Sequence, residues 1–309
     1  MKTRGQTIFH ATIAIILTCP SWAQQNPGLS SKPSGRSIDD TTPRAEQPVD
    51  LTRPSPQQAL PSSSLPGEEL YLEAALRGEA WAQTKLGKIY IADTSSQARQ
   101  TEGMQLLQKA AAQNEAEAIY VLAMLAVGGA GPGQSDAATL EQMKRAAELG
   151  FADAQFALGR MYLEGRGTAP DPAAALASFR RAAEGGNKEA MFSAARMMLS
   201  QPEPEMRSEG LALMERAIKD GHIEATLMLA TAYGRGANGM PKDELKAEAL
   251  LKPAAERGDA DCQMALASLY KFGESFAARR DEANEWLQRA ADQGHPKALE
   301  ILQSEPPGN

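Results

Sequence analysis

One six-residue phrase returns along this chain at almost constant spacing, and that period restricts the fold more than any other feature. Arg145-Ala146-Ala147-Glu148-Leu149-Gly150 comes back as Arg181-Ala182-Ala183-Glu184-Gly185-Gly186, as Arg216-Ala217-Ile218-Lys219-Asp220-Gly221 and as Arg289-Ala290-Ala291-Asp292-Gln293-Gly294. Looser copies start at Glu73, Lys109 and Pro253, so successive starts lie 36, 36, 36, 35, 37 and 36 residues apart. Units of this size cannot bury an apolar face alone, and a tandem series of them must stack neighbour on neighbour.

Each column of the repeat has a physical reading. The sixth position holds Gly78, Asn114, Gly150, Gly186, Gly221, Gly258 and Gly294, residues that accept left-handed backbone, so a helix is expected to stop there. Four residues later stands a small side chain: Ala82, Ala118, Ala154, Ala190, Ala225, Cys262 and Ala298. One turn further on the same face come Leu86, Leu122, Leu158, Ala194, Leu229 and Leu266. The adjoining column, Gly87, Ala123, Gly159, Ala195, Ala230 and Ala267, predicts close helix–helix approach, and Tyr90, Tyr162, Tyr233 and Tyr270 follow three residues after it. A second helix is expected after a Gly/Pro-rich loop such as residues 165–172. There Asp171 fits an N-cap and Pro172 the first turn, with Leu107, Met143, Phe179, Met214, Leu251 and Leu287 as the buried column.

The N-terminal 66 residues follow other rules. Lys2 and Arg4 precede a short apolar run over residues 8–17, and Ser21-Trp22-Ala23 supplies small residues for cleavage before Gln24. Residues 1–23 therefore read as a signal peptide, and the mature chain as periplasmic or secreted. The run is too short to span a bilayer comfortably, and no later segment offers 18 consecutive apolar residues, so no transmembrane span is expected after cleavage. Lipoprotein anchoring through Cys19 is a minor alternative, because Thr18 fits poorly beside it; an uncleaved anchor is another. Residues 24–66 hold eight of the 19 prolines and almost no large apolar side chains, and read as a disordered Pro/Ser/Gln-rich spacer. Residues 67–303 carry the array, and 304–309 read as a disordered tail.

A net charge of −7 and a pI near 5.2 lack the basic footprint of a nucleic-acid binder. Cys262 would be the sole thiol left after cleavage and reads as a small buried hydrophobe. His222 and His295 stand just after the stop position, where other copies carry Glu79, Glu115, Asn187 and Asp259, so they read as helix N-caps. Ser268-Leu269-Tyr270-Lys271 matches S-x-x-K, but neither S-D-N nor K-T-G accompanies it and Tyr270 is the ordinary repeat tyrosine. No catalytic, cofactor-binding or metal-binding residue is assigned, and an enzyme is not expected.

The stretch from Ala154 to Gly167 reads A-Q-x-x-L-G-x-x-Y-x-x-G-x-G. Together with the R-A-A-E-x-G helix ending, it resembles the Sel1-like repeat family, relatives of the tetratricopeptide repeats, over roughly residues 68–303. Asp93-Thr94-Ser95-Ser96 and Gln201-Pro202-Glu203-Pro204 depart from the Gly-rich loop. The resemblance implies an all-α fold, a right-handed α/α superhelical solenoid of about six to seven two-helix repeats of about 36 residues. It also implies a scaffold holding a protein or peptide partner in its groove, in envelope assembly, signalling regulation or host interaction. Secreted members staple each repeat with a disulfide; this chain lacks those cysteines, so their penicillin-binding associations do not carry over.

Helical geometry leaves one stripe of the first helices outside the packing columns. Trp81, Met124, Arg160, Arg196, Met228 and Phe272 lie on it and are the expected partner contacts. Arg160 and Arg196 share a column in adjacent copies and would favour an acidic segment. The rival expectations are a glycan- or peptidoglycan-associated envelope factor and, less favoured, a penicillin-interacting hydrolase.

Overall fold

A computed structural model of the protein describes Leu65 and residues 67–128, 135–237 and 239–304. The expected signal peptide, with Cys19 in it, almost all of the spacer 24–66 and residues 305–309 lie outside the described residues. Those described form fourteen α-helices and one 3-10 helix, with no strand among them. In chain order they are α1 (Glu68–Leu76), α2 (Ala80–Ala92), α3 (Gln97–Ala112), α4 (Ala116–Val127), α5 (Asp136–Glu148), α6 (Ala152–Glu164), α7 (Pro172–Glu184), α8 (Lys188–Leu199), α9 (Pro204–Lys219), α10 (Ile223–Arg235), α11 (Glu244–Glu256), α12 (Ala260–Phe272), the 3-10 helix (Glu274–Arg279), α13 (Arg280–Asp292) and α14 (Pro296–Ser304). Helices α2 to α13 form pairs in the register the repeat predicts, with α1 and α14 as single helices at the two ends.

The chain divides into two compact units. One comprises residues up to 154 with 164–170, the other residues 155–163 with 171 onward. Within each unit the helices pack in series, each against its neighbours along the chain.

The stop column does what its residue types predict. All six glycines have φ between 81° and 98°, and Asn114 has φ 64°. At each, the next amide turns back onto the helix just ended: Glu79 N donates to Ala74 O, Asn187 N to Ala182 O, His222 N to Ala217 O and His295 N to Ala290 O, all at 2.9–3.1 Å. This double closure satisfies carbonyls that the helix end would orphan. After four of the stops the following helix is then capped from a side chain, whereas Glu79 and Glu115 make no such cap. Asn187 Oδ1 accepts from Ala190 N at 2.8 Å, and Asp259 Oδ1 from Cys262 N at 2.8 Å. Second helices start in the same way at Ser96, Ser135, Asp171 and Asp243. Ser96 thus takes over in the copy that lacks the Gly-rich loop, and Pro204 occupies the first turn of α9 in the other.

The packing columns are buried: Leu107, Met143, Phe179, Met214, Leu251 and Leu287 are no more than 3% exposed. In the first unit Gly87 and Gly103 face each other so closely that a Cβ on either would stand 2.9 or 2.7 Å from the other's carbonyl oxygen. In the second, a Cβ on Gly159 would stand 2.6 Å from the ring of Phe179. The small residues set the helix–helix distance by having nothing to insert. Leu122 differs from the rest of its column in being only half-buried, and Val121 beside it fills the core of α3 and α4 instead.

Candidate functional site

In the first unit the stripe splits into an exposed and a buried part. Trp81 is about half exposed; its Nε1 donates to Glu79 Oε2 at 2.8 Å and its ring meets Tyr71 edge-on at 6.1 Å. Lys88, which shares the column of Met124, Arg160 and Arg196 on the stripe, is buried. Its Nζ stands 2.5 Å from Glu117 Oε1, and Lys85 Nζ is 2.7 Å from Glu117 Oε2. Burial pushes the Glu117 carboxyl up, but Lys88 and Lys85 together outweigh it and hold the group below the ordinary carboxylate range. Val121 is buried too, and Met124 is half-buried.

In the second unit Arg160 and Arg196 are exposed. The Arg196 guanidinium stands 5.7 Å from the centre of the Phe192 ring one turn back, a contact that orients the cation without neutralising it. Met228 is half-buried against the core of α7 to α10. Phe272, at 77%, is among the most exposed large apolar residues of the chain, with Lys271 Nζ 5.9 Å from its ring centre. Of the six expected contacts, Trp81, Arg160, Arg196 and Phe272 therefore present most surface, while Met124 and Met228 divide theirs between solvent and packing.

Other polar groups are consumed by the joints between copies. Gln83 donates to Ala75 O and accepts from Gln113; Gln263 does the same with Ala255 O and Gln293, at 3.0 and 2.8 Å. Arg145 reaches Ala111 O and Asn114 Oδ1, and Arg216 reaches Ala183 O. Tyr90 donates to Glu68 at 2.7 Å and Tyr270 to Glu248 at 2.6 Å, each with an arginine, Arg99 or Arg279, over its ring. His222 and His295 cap α10 and α14 through Nδ1, which accepts from Ala225 N and Ala298 N. Their Nε2 atoms lie 3.0 Å from Glu189 and Asp261, acidic residues of the stripe's first turn. Arg145, Arg216, Gln113 and Gln293 lie within the repeat phrase, but their partners sit 30 to 35 residues back, in part as backbone carbonyls that leave no trace in sequence.

The S-x-x-K match does not assemble a nucleophile: the Ser268 hydroxyl donates to Met264 O in its own helix at 3.0 Å. Cys262 is fully buried, and burial pushes its thiol up to about 12, far from thiolate chemistry. Among the described residues no group of three His, Cys, Asp or Glu side chains is placed to hold a metal ion, and no helix is long and apolar enough to cross a membrane.

Comparison with known proteins agrees with this geometry. The Sel1 repeat family model matches residues 82–115, 152–187, 223–259 and 260–295. A Sel1 repeat protein of Oxalobacter formigenes superposes with a TM-score of 0.61 at 27% identity, over 76% of this chain and 68% of its own. A protective antigen of uropathogenic Escherichia coli, described as displaying an SLR fold, gives a TM-score of 0.49 at 25% identity, over 75% of this chain and 57% of its own. No curated protein matches the chain in sequence.

Proposed function

We propose, from the premise that this chain is a Sel1 repeat protein, that it is a non-enzymatic scaffold holding a protein or peptide partner against the exposed side of its first helices. Sel1 repeat proteins are in general protein-interaction scaffolds, and the fold is typically non-catalytic. The observation that carries the reading here is the pair Arg160 and Arg196. They are exposed at one register in successive copies. Arginine is enriched at binding hot spots, and on an acidic protein two such cations favour an acidic segment of the partner. The signal-like residues 1–23 support action in the periplasm or outside the cell, in envelope assembly, signalling regulation or host interaction.

Cross-linked capture from an envelope fraction, comparing the wild type with the Arg160→Ala/Arg196→Ala double variant, tests the face. The variant should keep its helicity and melting temperature and lose most of the captured partner. Undiminished capture would remove the arginines from the site, and retention on purified wall material alone would favour the glycan-associated alternative. N-terminal sequencing of exported protein should start at Gln24; a start at Met1 or Cys19 would replace the cleaved-signal reading with an anchor or a lipoprotein.

A further inference from the structure

Two helix starts in the second unit depend on an imidazole, where the other side-chain caps of the chain are an amide, a hydroxyl or a carboxylate. At α10, His222 is 5% exposed; Nδ1 accepts from Ala225 N at 3.1 Å and Nε2 stands 3.0 Å from Glu189 Oε2 on α8. The Phe192 ring, also from α8, covers the imidazole at 4.6 Å between centroids. At α14 the arrangement is rebuilt from the same columns: His295 Nδ1 accepts from Ala298 N at 3.3 Å, and Nε2 stands 3.0 Å from Asp261 Oδ1 on α12. An Nδ1 that accepts from an amide carries no proton, so in both joints the ring is the neutral Nε2–H tautomer donating to the carboxylate.

Protonation is incompatible with this arrangement. An imidazolium has two donors and no acceptor, so the Ala225 and Ala298 amides would lose their partners. The added charge would also sit at the positive end of a helix. The surrounding charges nearly cancel. Around His222, Glu189 and Lys188 stand on α8, Arg216 and Lys219 in the last turn of α9, Asp220 beside them, and Glu224 on α10 itself. Around His295, Asp261 stands on α12, Arg289 and Asp292 in the last turn of α13, and Lys297 on α14. The carboxylate facing each ring does attract an imidazolium, but Glu189 and Asp261 are 48% and 65% exposed and their pull is screened. Asn187, which caps α8 at the same position, has no ionisable group, and Asp259 caps α12 through a carboxylate oxygen.

We infer that the histidine-capped starts of α10 and α14 are acid-sensitive joints that loosen as the pH falls from about 7.5 to 5.5, while the starts of α8 and α12 stay closed. The inference concerns the joints alone and does not depend on what the face binds.

Amide hydrogen exchange of the full chain, expressed as protection factors at the two pH values, tests it in the wild type and in His222→Asn/His295→Asn. Asparagine already serves as the cap of α8, so the variant retains a side-chain acceptor at both joints. In the wild type, protection at Ala225 and Ala298 should fall about five- to tenfold on acidification, the scale of a lost N-cap. Protection at Ala190 and Cys262 should hold, and in the variant Ala225 and Ala298 should hold as well. Glu189→Gln, which keeps the fold's contacts but removes the opposing charge, should deepen the wild-type loss at Ala225. Protection that stays level or rises in the wild type means the imidazolium–carboxylate pair dominates, and an equal fall in the asparagine variant places the acid response elsewhere; either outcome overturns the inference.

Discussion

At Gly150 one torsion angle decides the residue. Its φ is 88°, and nothing lies within 4 Å of where a Cβ would stand, so only backbone strain opposes a side chain there. Gly150→Ala is expected to cost about 1–2 kcal/mol, and Gly150→Asn less, since Asn114 holds the same position at φ 64°. Melting temperatures should fall in the order wild type, asparagine, alanine; equal losses would locate the cost in packing instead. Gly159 is the opposite case. In an open helix, glycine to alanine stabilises by about 1 kcal/mol, but here the new methyl meets the Phe179 ring at 2.6 Å, and Phe179 is only 1% exposed. Gly159→Ala should therefore destabilise, by roughly 1–3 kcal/mol, and the sign of the melting shift checks it. Both columns were legible because a steric rule acts on one position at a time. The burial of Lys88 was not, because whether a helix face is open depends on what the neighbouring copy sets against it. Glu117 let a lysine go under at a place where other copies carry exposed arginine.

At the scale of elements, the sequence announces helix starts and stops but not the clamps between them. Glu244, buried at the start of α11, accepts from Ser275 N at 2.7 Å and Glu274 N at 3.3 Å, with Lys242 Nζ at 3.1 Å. It thereby ties the 3-10 helix after α12 to α11. The Ser275 and Glu274 amides and Lys242 hold this carboxyl at about 2, against the penalty of burial. Because the folded value lies below the unfolded one, the clamp's stabilisation is full above about pH 5. It fades as the pH falls towards 2. Glu244→Gln should lower the melting temperature at pH 7 and flatten its decline between pH 5 and 2; an unchanged acid limb would assign that decline to other carboxyls. Nothing in the repeat phrase signals this contact, whose partners lie 30 and 31 residues away on a segment without periodicity. Ser96 shows the converse: the copy without glycines still caps its second helix, because the cap needs one oxygen and not a loop motif.

For the whole molecule, stacking in series makes stability local. Contacts run between chain neighbours within each unit, so damage is expected to stay near its origin. Leu107→Ala and Leu251→Ala each empty a nearly fully buried site, one per unit, at about 2–5 kcal/mol. Hydrogen exchange should quicken around α2 to α4 for the first and around α10 to α13 for the second; loss spread evenly over both units would show a single cooperative fold. The period made the helical array readable from the chain alone, whereas the exposure of the proposed face depends on how neighbouring copies pack. The stop glycines, finally, have a consequence for descent. Gly78, Gly150, Gly186, Gly221, Gly258 and Gly294 each sit in open space, so a crossover between two such points disturbs no packed atom at the junction. An exchanged cassette keeps its two helices and its closing glycine together. Gln83 with Gln113 and Gln263 with Gln293 are the same handshake at distant addresses, the pattern expected of growth by copying such cassettes.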